Sequence, residues 1–178
     1  MNKKLNIGVI SCSVMAQLHM KAVIDHPNAE LYMICDINEA LLNETAAKYN
    51  ISRKTTDYRQ MLADPAVDAV IIVTPDQTHR EISVAALEAG KHVLCEKPMA
   101  LTLDDCKAMI DAAAKAKTKM MVGQICRYTP GFVAAKTLIE RGEIGELFFV
   151  ETEYAHDYAH IDVEWRLDPL RHGFLGGG

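Results

Sequence analysis

Lys97 is the side chain best suited to chemistry, lying between Glu96 and Pro98 directly after the apolar run His92-Val93-Leu94-Cys95. The proline stiffens the backbone behind it, and its ammonium can donate a proton to, or polarise, a hydroxyl being oxidised. Glu96 can orient it through an ion pair; a solvated Glu-Lys pair in a turn is the plainer alternative. Three further polar sets follow apolar runs in the same way: Ser11-Cys12-Ser13-Val14-Met15-Ala16, Asp36, and Thr74-Pro75-Asp76. In an open parallel sheet, ligands bind outside the carboxyl ends of the strands, so the four sets are expected to converge on one crevice.

The segment from Ser11 to Ala16 stands where a dinucleotide-binding unit carries its glycine-rich turn, with Ser11, Ser13 and Ala16 at the three glycine positions. Backbone N–H groups and the dipole of the following helix would hold a pyrophosphate there, through Ser11, Ser13, Val14, Met15 and Ala16. Ser13 is the tightest fit, because its Cβ stands where backbone should approach phosphate. A plain strand-to-helix turn is the alternative. Asp36 follows Ala16 by 20 residues, the spacing of an acid that accepts hydrogen bonds from the adenosine ribose. A carboxylate there repels a 2′-phosphate, so NAD is expected over NADP; capping beside Asn38 is the plainer role. His79 either faces the crevice or caps its helix. His156, Asp157, His160 and Asp162 lack the i, i+4 spacing of a helical metal pair, so a polar substrate-facing loop is expected and no metal.

These residues need a scaffold of alternating strands and helices. Helices are expected over residues 16–25, with Leu18, Ala22 and Val23 inward; 38–49, capped by Asn38, with Leu41, Leu42, Thr45 and Ala46 inward; 57–63; 77–89, with Ile82, Ala85, Ala86 and Ala89 inward and Gly90 at its end; and 102–116, where Thr102 and Asp105 resemble a capping box. Strands are expected over residues 5–10, 30–35, 69–73, 92–95 and 119–123. The unbroken run Ala69-Val70-Ile71-Ile72-Val73 marks a strand covered on both faces. The pattern predicts an α/β fold, a Rossmann-type doubly wound parallel sheet over residues 1–123. From residue 124 it changes: a helix over 132–141 precedes a long alternating strand over 147–154, the start of a second α/β domain with a mainly antiparallel sheet. That second unit, residues 124–178, reads as incomplete, and an uncovered strand there predicts self-association into a homo-oligomer.

The bulk composition excludes several classes. A formal charge of -5 with pI near 5.8 offers no field for nucleic acid or an anionic membrane. No apolar run reaches the ~18 residues of a bilayer span. The five cysteines form an odd set without a C-x-x-C pair and read as reduced thiols of a cytoplasmic protein. Lys3-Lys4 before an apolar stretch ending in Cys12 resembles a lipoprotein leader, but Asn6 interrupts an apolar region already too short for one.

The run from His79 through Gly90-Lys91-His92-Val93 to Glu96-Lys97-Pro98, with Thr74-Pro75-Asp76 before it, resembles the Gfo/Idh/MocA oxidoreductases, the glucose-fructose oxidoreductase and inositol dehydrogenase family. Arg127-Tyr128-x-Pro130, Gly142-Glu143-Ile144-Gly145 and Trp165-Arg166-x-Asp168-Pro169 are similar to that family too. The resemblance implies a Rossmann domain binding NAD or NADP, then a domain that binds a sugar or polyol and often mediates dimers. It places Thr74, Pro75 and His79 along the cofactor, Glu96 near the nicotinamide riboside, Lys97 at cofactor and reacting hydroxyl, and Arg127, Trp165 and Arg166 near the domain junction. It implies hydride transfer between a substrate carbinol carbon and nicotinamide C4. The family's glycine run is followed by an Asp and a His of the substrate site, so a chain ending at Gly178 reads as a fragment, with a cofactor-binding protein without turnover as the rival to the enzyme. A methyltransferase on the same sheet would leave Glu96-Lys97-Pro98 without a role.

Overall fold

The computed structural model describes residues 4–153. Six parallel strands form one sheet: β1 (Leu5–Ile10), β2 (Ala29–Cys35), β3 (Lys54–Thr55), β4 (Ala69–Ile72), β5 (His92–Cys95) and β6 (Met120–Val122), in the order β3-β2-β1-β4-β5-β6. The helices are α1 (Val14–Asp25), α2 (Glu39–Tyr49), α3 (Tyr58–Ala63), α4 (His79–Glu88), α5 (Leu103–Lys115) and α6 (Pro130–Glu140). This is the doubly wound order, with the chain leaving β1 in one direction and β4 in the other.

Two apolar layers sandwich the sheet. Ile7, Val9, Leu31 and Ile34 meet Ala16, Met20 and Val23 of α1 and Leu42 and Ala46 of α2. On the other face Ile10, Val70, Ile72 and Val93 meet Met61 and Leu62 of α3, Ile82, Ala86 and Leu87 of α4, and Met109 of α5. β4 contributes to both layers, which is why its apolar run is unbroken. A Cβ at Gly8 would collide with the Met61 sulfur, so the close approach of α3 to β1 depends on glycine there. Lys91 is buried, its ammonium donating to the carbonyls of Asp64 (2.7 Å) and Val67 (2.9 Å) and fixing the loop before β4.

The caps are those the residue types dictate. Asn38, Asp57 and Thr102 accept first-turn amide hydrogens of α2, α3 and α5. Gly90 takes φ +72° and donates to the Leu87 carbonyl at the end of α4. At the start of α5 the Thr102 hydroxyl meets the Asp105 carboxylate at 2.7 Å, so the acid engages the cap side chain.

Several expectations are corrected. The inner stripe of α1 is Ala16, Met20 and Val23, spaced 4 and 3, whereas Leu18 and Ala22 are exposed. Ala89 is also exposed; Ser83 and Leu87 take its place under α4, whose chain enters through a 3₁₀ turn at Asp76–Thr78. The strand expected over 147–154 is absent from its described part, residues 147–153, and Tyr154 lies outside the described residues. Among the described residues no strand pairs with that segment, and an extended run without ladder partners satisfies none of its backbone groups internally. α6 precedes it with Phe132, Val133, Leu138 and Ile139 exposed.

The three thiols at the sheet, Cys12, Cys35 and Cys95, are buried, while Cys126 is exposed. Burial first, then the nearby Asp36 carboxylate, pushes Cys12 up to about 11 and Cys35 to about 12. In the folded protein at pH 8, iodoacetamide should therefore label Cys126 and spare these three. Mass spectrometry showing equal labelling of Cys12 and Cys126 would contradict this burial.

Candidate functional site

β1 runs into α1 through a turn with its own hydrogen-bond economy. Ser11 holds φ 112°, a conformation that suits glycine, and its hydroxyl accepts from the Ser13 amide at 3.1 Å. The backbone demand for glycine thus falls on Ser11. Ser13 has ordinary extended angles and caps α1, its hydroxyl accepting from the Ala16 amide at 3.4 Å. Gln17 donates to the Cys12 carbonyl at 3.1 Å and accepts from the Lys48 ammonium at 2.7 Å, tying the turn to α2. The amides of Val14 and Met15, the first two of α1, have no partner among the described residues. They form the N-terminal anion position expected for a pyrophosphate, so the turn fits the group.

Asp36 does two jobs at the end of β2. One carboxylate oxygen accepts from the Asn38 amide at 2.8 Å and the other from the Cys12 amide at 2.7 Å. The acid therefore caps and also draws the turn after β1 toward β2. Beside it Ile37 is 91% exposed, an apolar side chain next to the acid that sequence reasoning missed.

His79 neither caps nor faces solvent. It is 1% exposed, its Nδ1 lying 2.7 Å from the Pro98 carbonyl and its Nε2 2.8 Å from the Thr74 carbonyl. The ring clips the loop after β4 to the loop after β5. Both acceptors are carbonyls, so both contacts are hydrogen bonds only when both ring nitrogens carry protons. The Thr74 and Thr78 hydroxyls are 2.7 Å apart, and Pro75 lies exposed at the rim.

Glu96 is the hub beyond β5. One carboxylate oxygen accepts from His19 Nε2 of α1 at 2.7 Å, the other from the Lys97 backbone amide at 3.0 Å. Gly123 lies against it; a Cβ there would stand 3.2 Å from the carboxylate. Glu96 thus reaches Lys97 through the backbone as well as through charge. Burial alone would raise its pKa, but the His19 hydrogen bond, the Lys97 amide and the charges of His19 and Lys97 outweigh burial and hold the carboxyl below its usual range. The Lys97-Pro98 peptide is cis. His19 was missed at the sequence level because a histidine on a helix carries no spacing signal that names a partner 77 residues away.

The turn, Asp36, Thr74, Pro75, His79, Glu96 and Lys97 all follow the carboxyl ends of β1, β2, β4 and β5, in one row along the sheet. Arg127 is exposed in a 3₁₀ turn, Ile125–Tyr128, after β6. Trp165 and Arg166, with His156, Asp157, His160 and Asp162, lie outside the described residues. Among the described residues no group of His, Cys, Asp or Glu is placed to hold a metal. Two concavities lie away from this edge: one of about 280 Å³ at the end of α2, and an apolar groove of about 270 Å³ over β4–β6 lined by Ile7, Ile71, Leu94 and Met121.

Two outcomes follow from this geometry. Ser11→Gly should raise stability by about 1 kcal/mol, relief of the positive φ exceeding the loss of the weak hydroxyl contact; unchanged or lowered urea-unfolding stability would contradict it. Because the folded pKa of Glu96 is depressed, its stabilisation is complete above the ordinary glutamate value of 4.5 and is lost as pH falls through the lower folded value. Glu96→Gln should cost about 1 kcal/mol at pH 7. The gap to wild type should close as the pH drops below 4.5. A gap that stays constant down to pH 3 would show that the carboxylate charge is not what is felt.

Comparisons with known proteins bear on the family and the fold. Levoglucosan dehydrogenase of Pseudarthrobacter phenanthrenivorans is 34% identical over 175 residues, covering 92% of this chain and 45% of that protein. Inositol 2-dehydrogenase of Salmonella typhimurium is 34% identical over 149 residues, covering 82% of this chain and 44% of that one. The solved structure of a levoglucosan dehydrogenase in complex with NADH and L-sorbose superimposes with a TM-score of 0.76 at 37% identity, over 80% of this chain and 40% of that chain. The chain thus spans less than half the length of these relatives. The family described as the oxidoreductase family with an NAD-binding Rossmann fold matches residues 5–124, and the chain belongs to that family, Gfo/Idh/MocA.

Proposed function

We propose that this chain is the cofactor-binding part, with the first portion of a substrate domain from residue 124, of an NAD-dependent dehydrogenase acting on a sugar or polyol hydroxyl. The observation that carries the reading is the row of strand-end groups: the Asp36 carboxylate after β2, two α1 amides without a partner among the described residues after β1, and Lys97 after β5, in that order along one sheet edge. Val14 and Met15 bind the pyrophosphate and Asp36 the adenosine ribose, with Ile37 against the adenine. Asp36 disfavours a 2′-phosphate, so NAD is the preferred cofactor. Thr74, Pro75 and His79 shape the wall toward the nicotinamide; Arg127, Trp165 and Arg166 belong to the domain junction.

When bound, the nicotinamide supplies the hydride acceptor. Lys97 holds the substrate oxygen and moves its proton: in the oxidising direction the hydroxyl proton passes to a basic lysine nitrogen, and in reduction an ammonium returns it. Relatives named for inositol and levoglucosan, and a WlbA dehydrogenase structure in complex with UDP-GlcNAcA, support a polyhydroxylated ligand for the whole protein. The buried thiols suit a reducing cytoplasm, and a homo-oligomer formed through the region after residue 124 would cover the apolar side chains of α6. Light scattering should then report a dimer or larger species; a monodisperse monomer would contradict that part.

Fluorescence titration of the full chain should show saturable NAD binding and weaker NADP binding. No NAD binding at millimolar cofactor would overturn the reading. Asp36→Asn, which keeps an acceptor and removes the charge, should narrow the NAD over NADP preference by about tenfold. Ser13→Gly should tighten NAD by releasing the Ala16 amide and removing the Cβ, at a loss of a few tenths of a kcal/mol in helix capping. Unchanged affinity would show that the turn already accommodates the side chain. Assays with NAD and polyols or sugars separate an enzyme from a cofactor-binding protein, since turnover by this polypeptide excludes the latter.

A further inference from the structure

We propose that His19 is a positioning residue for Lys97, acting through Glu96, an inference that rests on reading Lys97 as the proton-handling group. His19 sits five residues after Val14 in α1, about 7.5 Å along the helix axis from the amide that starts it. From there Nε2 donates to one Glu96 oxygen at 2.7 Å, and the other Glu96 oxygen accepts the Lys97 amide at 3.0 Å. The side chains of this pair are only 21% and 12% exposed, so water competes weakly for the bond.

The carboxylate has little room to choose another arrangement. Its backbone is fixed by the Glu96 amide donating to the Ile72 carbonyl at 2.9 Å, and Gly123, whose own amide donates to the Cys95 carbonyl at 2.8 Å, closes one side. With both oxygens engaged and the backbone held, the position of the Lys97 main chain is set by where α1 places the His19 ring. The same helix presents the Val14 and Met15 amides at its start. One rigid element therefore carries the pyrophosphate position at its tip and, one and a half turns later, the group that fixes the lysine. The registration needed between cofactor and proton donor is supplied by α1. The charged groups facing the carboxylate are His19 from α1 and Lys97 from its own strand end.

The test uses the full chain and the Lys97 amide as reporter. In the wild type, its ¹H–¹⁵N shift should follow protonation of Glu96 with a midpoint below the ordinary carboxylate range. His19→Leu removes the donor and should move that midpoint up toward the ordinary range. His19→Gln, which keeps a donor near Nε2, should restore most of the difference. Equal midpoints in wild type and His19→Leu, or a His19→Gln midpoint displaced as far as that of leucine, would overturn the proposal. Should the leucine variant not fold, His19→Asn, whose amide stops short of Glu96, takes its place with the same expected displacement. NAD titration of the same wild-type sample keeps the two ideas apart. A wild type that binds no NAD defeats the dehydrogenase reading, whereas the Lys97 midpoints decide the role of His19 independently.

Discussion

The pairing of β1 with β4 is the constraint on which the rest depends. Ile7 to Ile10 lie in register with Ala69 to Ile72, and from that seam the chain adds strands outward in opposite directions. Helices leaving the two halves then lie on opposite faces, so the strand ends at the seam stay uncovered. The polar residues of interest follow these two strands and their outer neighbours β2 and β5. The apolar runs that look like mere core are therefore what assembles the site, by bringing Ser11, Asp36, Thr74 and Glu96 to one edge.

Within that edge, acids serve as ties to backbone as much as charges for a ligand. Asp36 binds the Cys12 amide across to the phosphate turn, and Glu96 binds the Lys97 amide next to it. The Asp36 bond joins the segments after β1 and β2, whereas the Glu96 bond stays within one segment and it is the His19 contact that ties Glu96 to α1. His79 does the same with a ring, bridging carbonyls of the loops after β4 and β5. The strand-end edge is pre-organised by side chains that look, in sequence, like binding groups, and both oxygens of Asp36 are engaged by backbone amides.

The alternation of elements was legible because its signals are local: branched apolar runs, Asn38, Asp57 and Thr102 before helices, Gly90 after one. The strand-end placement of the site followed from the same pattern. What local reading could not supply was partnership over distance. It set Leu18 and Ala22 in the core because they share a helical row, although the Ala16, Met20, Val23 row is the one the sheet buries. It singled out Ser13 in the turn, although the glycine-like angle belongs to Ser11, a property of how β1 exits toward β2. It placed Glu96 beside Lys97 as an ion pair and did not see His19, whose role exists only once the fold brings α1 to the residue that follows β5. It read alternation over 147–154 as a strand, which requires a neighbour to pair with.

The central claim is that this strand-end edge is a dinucleotide site. Mapping ¹H–¹⁵N shift changes on adding NAD tests it most directly. The account predicts the largest changes at the Val14 and Met15 amides, with Ile37, Thr74 and Lys97 following. Changes centred on the hollow at the end of α2 or on the Ile71–Leu94 groove, with Val14 and Met15 unmoved, would contradict it.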